Sequence, residues 1–480
     1  MKTLMRITIV LLVLISQCGP ANGQTLATLY QFGGVAGDGQ LPAAALVQGS
    51  DGNFYGTTVE GGTNSVGTVF RISAAGSLST LYQFGALPTD GTYPSGGLVQ
   101  GSDGNFYGTT LSGGTNGDGT VFRISAAGSL TTLYQFGALP TDGAGLQAGL
   151  VQGSDGFFYG TTQQGGTNGI GTVFRISPAG SFQTLYTFDH IPPGGFDPFA
   201  GLVQGSDGNL YGATFFGGTN QYVPNQNSYL GGAMYRISPT GAYSTVCSFG
   251  ATANSGSNPQ GGLVQGSDGN FYGMTTQGGL TNDGGVVFQA SAAGALTTLY
   301  VFGGLPTDGR DPVAALVQGC DGWFYGTTPG GGTNGDGTVF RINAAGSLTT
   351  LYQFTGNATN GTSPYAALLQ GSDGAFYGTT QYGGTNGGGT VFQFTVPLSP
   401  APWPINQITT LQLAGTNIVL NVPSVAGETY QLQFSSSLDP AAWSNVPGAC
   451  VSNSIGAAMA VTNFGAASLP QGYFRFQITP

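Results

Sequence analysis

Charge is what this sequence has least of. Asp, Glu, Lys and Arg together make up 6% of the 480 residues, His190 is the only histidine, and Lys2 is the only lysine. The balance is acidic, with a formal net charge of −11. A surface so poor in basic groups repels phosphate backbones and anionic lipid heads, so nucleic acid is excluded as a natural partner and binding to an anionic membrane surface is disfavoured. Scarcity of His and Lys also removes the usual general bases and Schiff-base formers. Cysteine is limited to Cys18, Cys247, Cys320 and Cys450, in unrelated contexts, which gives neither a disulfide framework nor metal-ligand spacing. No metal or other cofactor is expected. Apolar runs long enough for a transmembrane helix are missing beyond the first residues.

Those first residues read as an export signal: Lys2 and Arg6 precede the apolar run from Ile7 to Ile15, and Ala21-Asn22-Gly23 offers small residues for cleavage before Gln24. Lipidation at Cys18 fits less well, because Gln17 stands where a small residue is wanted. Loss of residues 1–23 leaves 7 basic against 20 acidic residues, a charge of 7 − 20 = −13. The mature chain is then expected to be secreted or held at the cell surface, with no transmembrane segment after the signal.

Glycine, by contrast, is abundant, at 88 residues. Together with Thr, Ser, Asn and aromatics it suits short strands joined by tight turns rather than helices. Self-similarity makes this specific. The string LVQGSDGNFYGTT begins at Leu46 and returns, slightly varied, at Leu98, Leu150, Leu202, Leu263, Leu316 and Leu368. The aspartates within it, Asp51, Asp103, Asp155, Asp207, Asp268, Asp321 and Asp373, are separated by steps of 52, 52, 52, 61, 53 and 52. Each of the seven units holds four strand-like runs, as in 96–100, 105–110, 119–125 and 130–136, separated by GSDG, GGTNGDG and AAG turns. Four short antiparallel strands per unit predict an all-β, seven-bladed β-propeller. The seventh unit stops after GTVFQFT (389–395), while Thr25–Phe32 matches the missing outer strand. That offset predicts a ring closed by the N-terminal strand, since closure leaves no exposed edge.

Over residues 25–395 the units resemble the GloVer tandem repeat of exported bacterial proteins, in which G-L-V-x-G-x-D-G-x-F-Y-G-T-T and G-T-V-F-x-I recur. The DGN-F-Y-G-T segment is also similar to one in sensor-type propellers. The GloVer resemblance implies export and variable attachment to the cell, and carries no known chemistry. Beyond it, a Pro-rich linker at 397–407 leads to residues 408–480, where 418–422, 428–436 and 473–479 are strand-like and Trp443 and Phe464 are candidate core anchors. This tail is expected to be a small β-sandwich, similar to fibronectin-like modules of exported proteins. The expected domains are therefore 1–23 signal, 24–396 propeller, 397–407 linker and 408–480 sandwich.

The seven GSDG aspartates are read as structural turn residues, because Asp-Gly suits tight hairpins and the carboxylate accepts backbone N–H groups two residues on. Arg71, Arg123, Arg175, Arg236 and Arg341 share one position on the third strand, near the same face, and are expected to contact these aspartates. On the opposite face Asp38, Asp90, Asp142 and Asp308 recur before the next unit, with Gly194, Ser255 and Asn360 in the remaining places. Turn chemistry accounts for that pattern too.

The break in the repeat lies between His190 and Gly232. The connection FDHIPPGGFDPF (188–199) carries His190, Phe196 and Phe199, the pair Phe215 and Phe216 replaces polar residues, and a longer loop adds Tyr222 and Tyr229. Aromatics and amides on neighbouring loops are what a carbohydrate or peptide site uses. No catalytic residue is assigned: no G-x-S-x-G elbow accompanies any serine, and carboxylate pairs such as Asp189 with Asp197, or Asp308 with Asp311, lie in turn-rich loops. The favoured reading is a non-catalytic exported propeller that binds a glycan, peptide or protein through this loop face. A polysaccharide lyase or hydrolase using loop-face carboxylates is the alternative, and a structural or adhesive surface component the third.

Overall fold

The computed structural model describes residues 24–219, 231–251, 255–279, 283–356 and 359–396, and beyond them the backbone of six strands between Thr410 and Thr479. The expected signal at 1–23, the expected linker at 397–407, Tyr222 and Tyr229, and Trp443 and Phe464 lie outside the described residues. The chain divides into two compact units, the larger holding Ala21–Gly266 and Asn270–Pro397, the smaller holding Leu398–Pro480.

Seven four-stranded antiparallel sheets make up the larger unit, and among the described residues there is no helix. The first sheet runs Val47–Gln48, Phe54–Thr58, Thr68–Ile72 and Leu78–Gln83 from inner to outer strand. Five more sheets repeat this order. The seventh is assembled from both ends of the unit: Leu369–Gln370, Phe376–Thr380 and Thr390–Thr395 are completed by Thr25–Gln31, which pairs antiparallel from Thr25 opposite Thr395 to Gln31 opposite Thr390.

Why these sheets form a ring follows from one dipeptide. Successive strand residues point to opposite faces, so in the wholly buried second strand Phe54 and Tyr55 face different neighbours. Tyr55 stacks on Phe106 of the next blade at 4.0 Å between centroids, Tyr107 on Phe158 at 3.9 Å, and, except where Tyr159 meets Leu210, the series continues round to Tyr377, which packs on Phe54 at 4.0 Å. Gly56 follows the pair because a Cβ there would meet Phe70 at 2.6 Å and Leu46 at 2.8 Å. A second seam lies on the turn face, where the backbone N–H of Ser50 donates to Gln100 Oε1 (3.0 Å) and Gln100 Nε2 donates to Ser50 Oγ (3.3 Å). Gln48 makes the same clasp with Ser372, joining first blade to last.

Six of the seven turn aspartates are seen to serve the aromatic seam. Asp103 Oδ1 accepts the backbone N–H of Asn105, while Oδ2 accepts the Asn105 amide and the Tyr107 hydroxyl, both at 2.8 Å. The tyrosine contact recurs at Asp51, Asp155, Asp207, Asp321 and Asp373, at 2.6–2.9 Å. Although burial opposes ionisation, these donors hold the carboxyls of Asp51, Asp103 and Asp207 below the usual range. The expected Asp–Arg contacts are not the hydrogen bonds formed at these turns: the side-chain donor is the tyrosine, with Arg123 directly across from Tyr107 in the strand register and interacting with it, while Arg236 acts on Asp207 through its charge. Two of the arginines lie over aromatic rings instead, Arg175 over Phe157 and Arg341 over Trp323.

In the smaller unit Thr410–Ala414, Asn417–Val422 and Met459–Asn463 form one three-stranded antiparallel sheet, and Thr429–Ser435, Ser444–Ser452 and Tyr473–Thr479 another.

The seam sets two measurable expectations. Phe106→Ala removes a ring that is 1% exposed, and should cost about 3–5 kcal/mol in denaturant unfolding of residues 24–480. Burial and the neighbouring carboxylate push Tyr107 and Tyr159 up to about 12. A tyrosine whose folded pKa is raised contributes stability below its unfolded value and loses it as pH climbs through the folded one, so unfolding midpoints should fall between about pH 10 and 12.

Candidate functional site

On the face opposite the GSDG turns, each blade sends a connection from its outer strand to the next inner strand. In four blades a two-residue segment of that connection pairs with the residues after the second strand: Gly39–Gln40 with Glu60–Gly61, Gly91–Thr92 with Ser112–Gly113, Gly195–Phe196 with Phe216–Gly217, and Gly309–Arg310 with Gly330–Gly331. Elsewhere the non-glycine positions are polar. In the fourth blade they are Phe196 and Phe216, directly opposite each other, with centroids 5.5 Å apart.

These two rings sit within a chain of five. His190 meets Phe196 edge-on at 4.6 Å, Phe216 meets Phe215 at 4.7 Å, and Phe215 meets Phe199 at 5.0 Å. The structure thus brings together all five of the aromatic candidates it describes. Their exposures differ, and this divides their roles. Phe196 is 6% exposed and packs in the core with Phe188, Leu202 and Tyr235. Phe199, Phe215 and Phe216 are half-buried, and His190 and the adjacent Ile191 are exposed. The inner ring anchors the row and the others present it.

Asp197 lies in the middle of this row in sequence and was weighed only as half of a carboxylate pair. It adopts φ 56°, in the left-handed region that Asp and Asn tolerate better than most residues. Leu41, Tyr93, Asn258, Asp311 and Ser363 hold the same conformation at the same place in other blades. The backbone explains the repetition: the N–H of Asp197 donates to Ile170 O of the preceding blade and its carbonyl accepts from Phe215 N, stapling two loops. Burial pushes the Asp197 carboxyl up to about 6, with His190 acting in the opposite direction. Asp189, its proposed partner, accepts the backbone N–H of Ile191 at 3.1 Å.

The other acidic set is committed elsewhere. Asp308 Oδ2 accepts the Tyr300 hydroxyl (3.1 Å) and the N–H groups of Gly303 and Gly304, and Oδ1 accepts Gly309 N–H. Asp38, Asp90 and Asp142 repeat the contact with Tyr30, Tyr82 and Tyr134. A signal for this was present in the sequence: tyrosine and aspartate recur eight residues apart. Where Asn360 replaces the aspartate its amide still donates to Tyr352 (2.7 Å), and where Cys247 replaces the tyrosine the partner position is Ser255. Among the described residues no group of three or more His, Cys, Asp or Glu side chains is placed to hold a metal. No helix among them is long and apolar enough to cross a membrane.

Seven four-stranded blades around a common centre, with loops of differing chemistry on one face, define a seven-bladed β-propeller. The chain belongs to the Gloeobacter/Verrucomicrobia repeat family, whose model matches residues 14–224 and 222–401. Among curated proteins none matches it in sequence. Of solved structures, the extracellular domain of an assigned hybrid two-component system from B. thetaiotaomicron is similar in fold, with 12% identity, a TM-score of 0.50 and coverage of 94% of this chain. This chain spans 57% of the length of that domain. The BP39L lectin from Burkholderia pseudomallei aligns at 15% identity and a TM-score of 0.45, over 73% of this chain and 99% of the lectin.

Asp197→Asn tests the half-buried carboxyl. Asn258 already occupies the equivalent left-handed position, so the backbone tolerates the change. A raised carboxyl pKa means that ionisation is disfavoured in the fold, so stability declines as pH rises through about 6. The variant should therefore gain thermal stability over the parent at pH 8 and little or none at pH 4, as measured by calorimetry at the two pH values.

Proposed function

We propose that this is an exported, non-catalytic propeller that binds a glycan, peptide or protein through the loop face between His190 and Gly232. The observation that carries the reading is the row of rings from His190 to Phe199, anchored at Phe196 and exposed at its histidine end, in a place where other blades present polar side chains. Rigid aromatic surface beside hydrogen-bonding loops gives contact area at low entropic cost. Export is supported by the leader-like residues 1–23. In the same scheme Thr25–Gln31 is the clasp of the ring, 24–396 the propeller domain, 397–407 a linker, and 408–480 a β-sandwich module. The seven turn aspartates have a structural role.

One observation favours a second reading. A carboxyl raised to about 6 beside an imidazole is suited to proton transfer near neutral pH, as a polysaccharide lyase or hydrolase would require.

A glycan- and peptide-array screen of the mature protein separates the two. Binding should fall at least tenfold in His190→Ala and in Phe199→Ala/Phe215→Ala, with Tyr222→Ala and Tyr229→Ala included because they fall within the same break of the sequence repeat. Unchanged binding in all of these sinks the loop-face site. Depolymerisation of a bound polysaccharide that vanishes in Asp197→Asn would favour the enzyme.

A further inference from the structure

The exposed apolar side chains of the ring are not scattered. Val35, Leu87, Leu139, Ile191 and Leu305, between 55% and 68% exposed, are five of its eight large exposed hydrophobics among the described residues, and all occupy one repeat position, five residues after the tyrosine of an outer strand. Leu305 lines a cleft between its blade's connection and the outer strand of the next blade, and the other four hold the same place in their own connections. A chance distribution of surface apolar groups would not share a register.

Between the fifth and sixth blades this cleft is an open cavity of about 260 Å³. Tyr300, Leu305 and Leu348 form apolar walls, while Thr307, Asp308, Thr350 and Gln353 line the remainder. The Gln353 carbonyl is engaged by Thr333 N–H (2.8 Å) and by its hydroxyl, which leaves the Gln353 amide N–H groups with no protein partner among the described residues. The first and second blades reproduce the cleft residue for residue, from Tyr82, Leu87 and Asp90 to Leu130, Thr132 and Gln135, with Thr115 N–H on the Gln135 carbonyl. Between the seventh and first blades Tyr30, Val35, Asp38, Leu78 and Gln83 preserve it.

Two other clefts are closed by their own side chains. Phe182 stands where Leu130 and Leu348 do and stacks on Tyr134, at 3.9 Å and 9° between ring planes. Tyr243 does the same on Tyr186, at 4.1 Å and 1°.

We infer that the cavity at Leu305 and the two clefts that carry matching residues are repeated binding sites for single neutral pyranose residues of a glycan. The chemistry selects this occupant. An anion would face the Asp carboxylate and a strongly acidic protein. A metal cation finds both oxygens of Asp308 already accepting hydrogen bonds. A wholly apolar ligand would cover the Gln353 amide without pairing it. A pyranose offers a C–H face to the tyrosine and leucine walls and hydroxyls to Gln and Thr. The volume lies below the about 300–1,000 Å³ of drug-sized sites, so one ring enters and the rest of the chain stays in solvent. Each site alone is weak, and three on one face act together through avidity. The inference stands apart from the His190 site, whose residues line none of these three clefts.

The mature protein supplies its own model for closing them. In Leu78→Phe/Leu130→Phe/Leu348→Phe the clefts are filled as Phe182 fills one natively, so the thermal midpoint should be retained. Saturation-transfer NMR with methyl glucoside, galactoside, mannoside and fucoside should show transfer to at least one sugar in the parent and none in the triple variant. Retention on beads bearing that sugar should fall at least tenfold. Val35→Ser/Leu87→Ser/Leu305→Ser, all at exposed positions, should weaken retention without touching the fold, whereas Leu139→Ser, at a closed cleft, and His190→Ala should leave it unchanged. Transfer that persists with the clefts filled, no transfer to any of the four sugars, or loss of retention in His190→Ala alone would overturn the inference.

Discussion

The ring depends on a tyrosine of one blade lying flat on a phenylalanine of the next. Because neighbouring residues of a strand face opposite ways, the Phe-Tyr pair gives six of the seven second strands one ring for the blade behind and one for the blade ahead. Neither face of a blade can be dry until both neighbours are present. A single unit therefore has no stable core of its own, and a row of seven still exposes an aromatic face at each end. Contact between Tyr377 and Phe54 removes those ends. A buried phenol also needs an acceptor, and the GSDG aspartate is that acceptor. One carboxylate thus both shapes the turn and orients the ring on which the next blade packs.

Departures from this scheme collect around the third and fourth blades. Leu210 replaces the phenylalanine that Tyr159 would otherwise meet, and Tyr235 stands where other third strands carry phenylalanine. The hydroxyl of Tyr235 is buried with no hydrogen-bond partner among the described residues. Gly194 removes the carboxylate that Tyr186 would receive, and Tyr243 stacks in its place. These blades have exchanged polar pairing for aromatic packing, and the row from His190 to Phe199 is the surface expression of the same exchange.

Much of the architecture was legible in the chain. The period, the four strands per unit and the family all follow from the recurrence of LVQGSDGNFYGTT, since turn residues at fixed offsets leave little choice of strand or register. The aromatic candidates were legible as well, because they interrupt a repeat. The electrostatic pairing was not. Arginine and aspartate could be assigned to one face by strand order, but whether the phenol took the carboxylate depends on side-chain geometry across two strands. The tyrosine and aspartate eight residues apart were visible as a pattern, yet without coordinates nothing distinguished a buried pair from two turn residues.

What the sequence determined by itself is the blade, because hydrophobic alternation and Asp-Gly turns act over a few residues and specify local structure wherever they occur. What the tertiary structure decided is which side chains remain available. Asp308 and Asp197 both belong to turn-rich connections and are both carboxylates, yet the first is consumed by Tyr300 and three backbone N–H groups, while the second is half-buried with only His190 opposing the rise in its pKa. Leu348 and Phe182 fill the same repeat position, and only the packing of the neighbouring tyrosine makes one of them the wall of a cleft and the other its plug. Burial and contact across blades are sums over residues distant in sequence, so the repeat could promise these positions without saying what each would do.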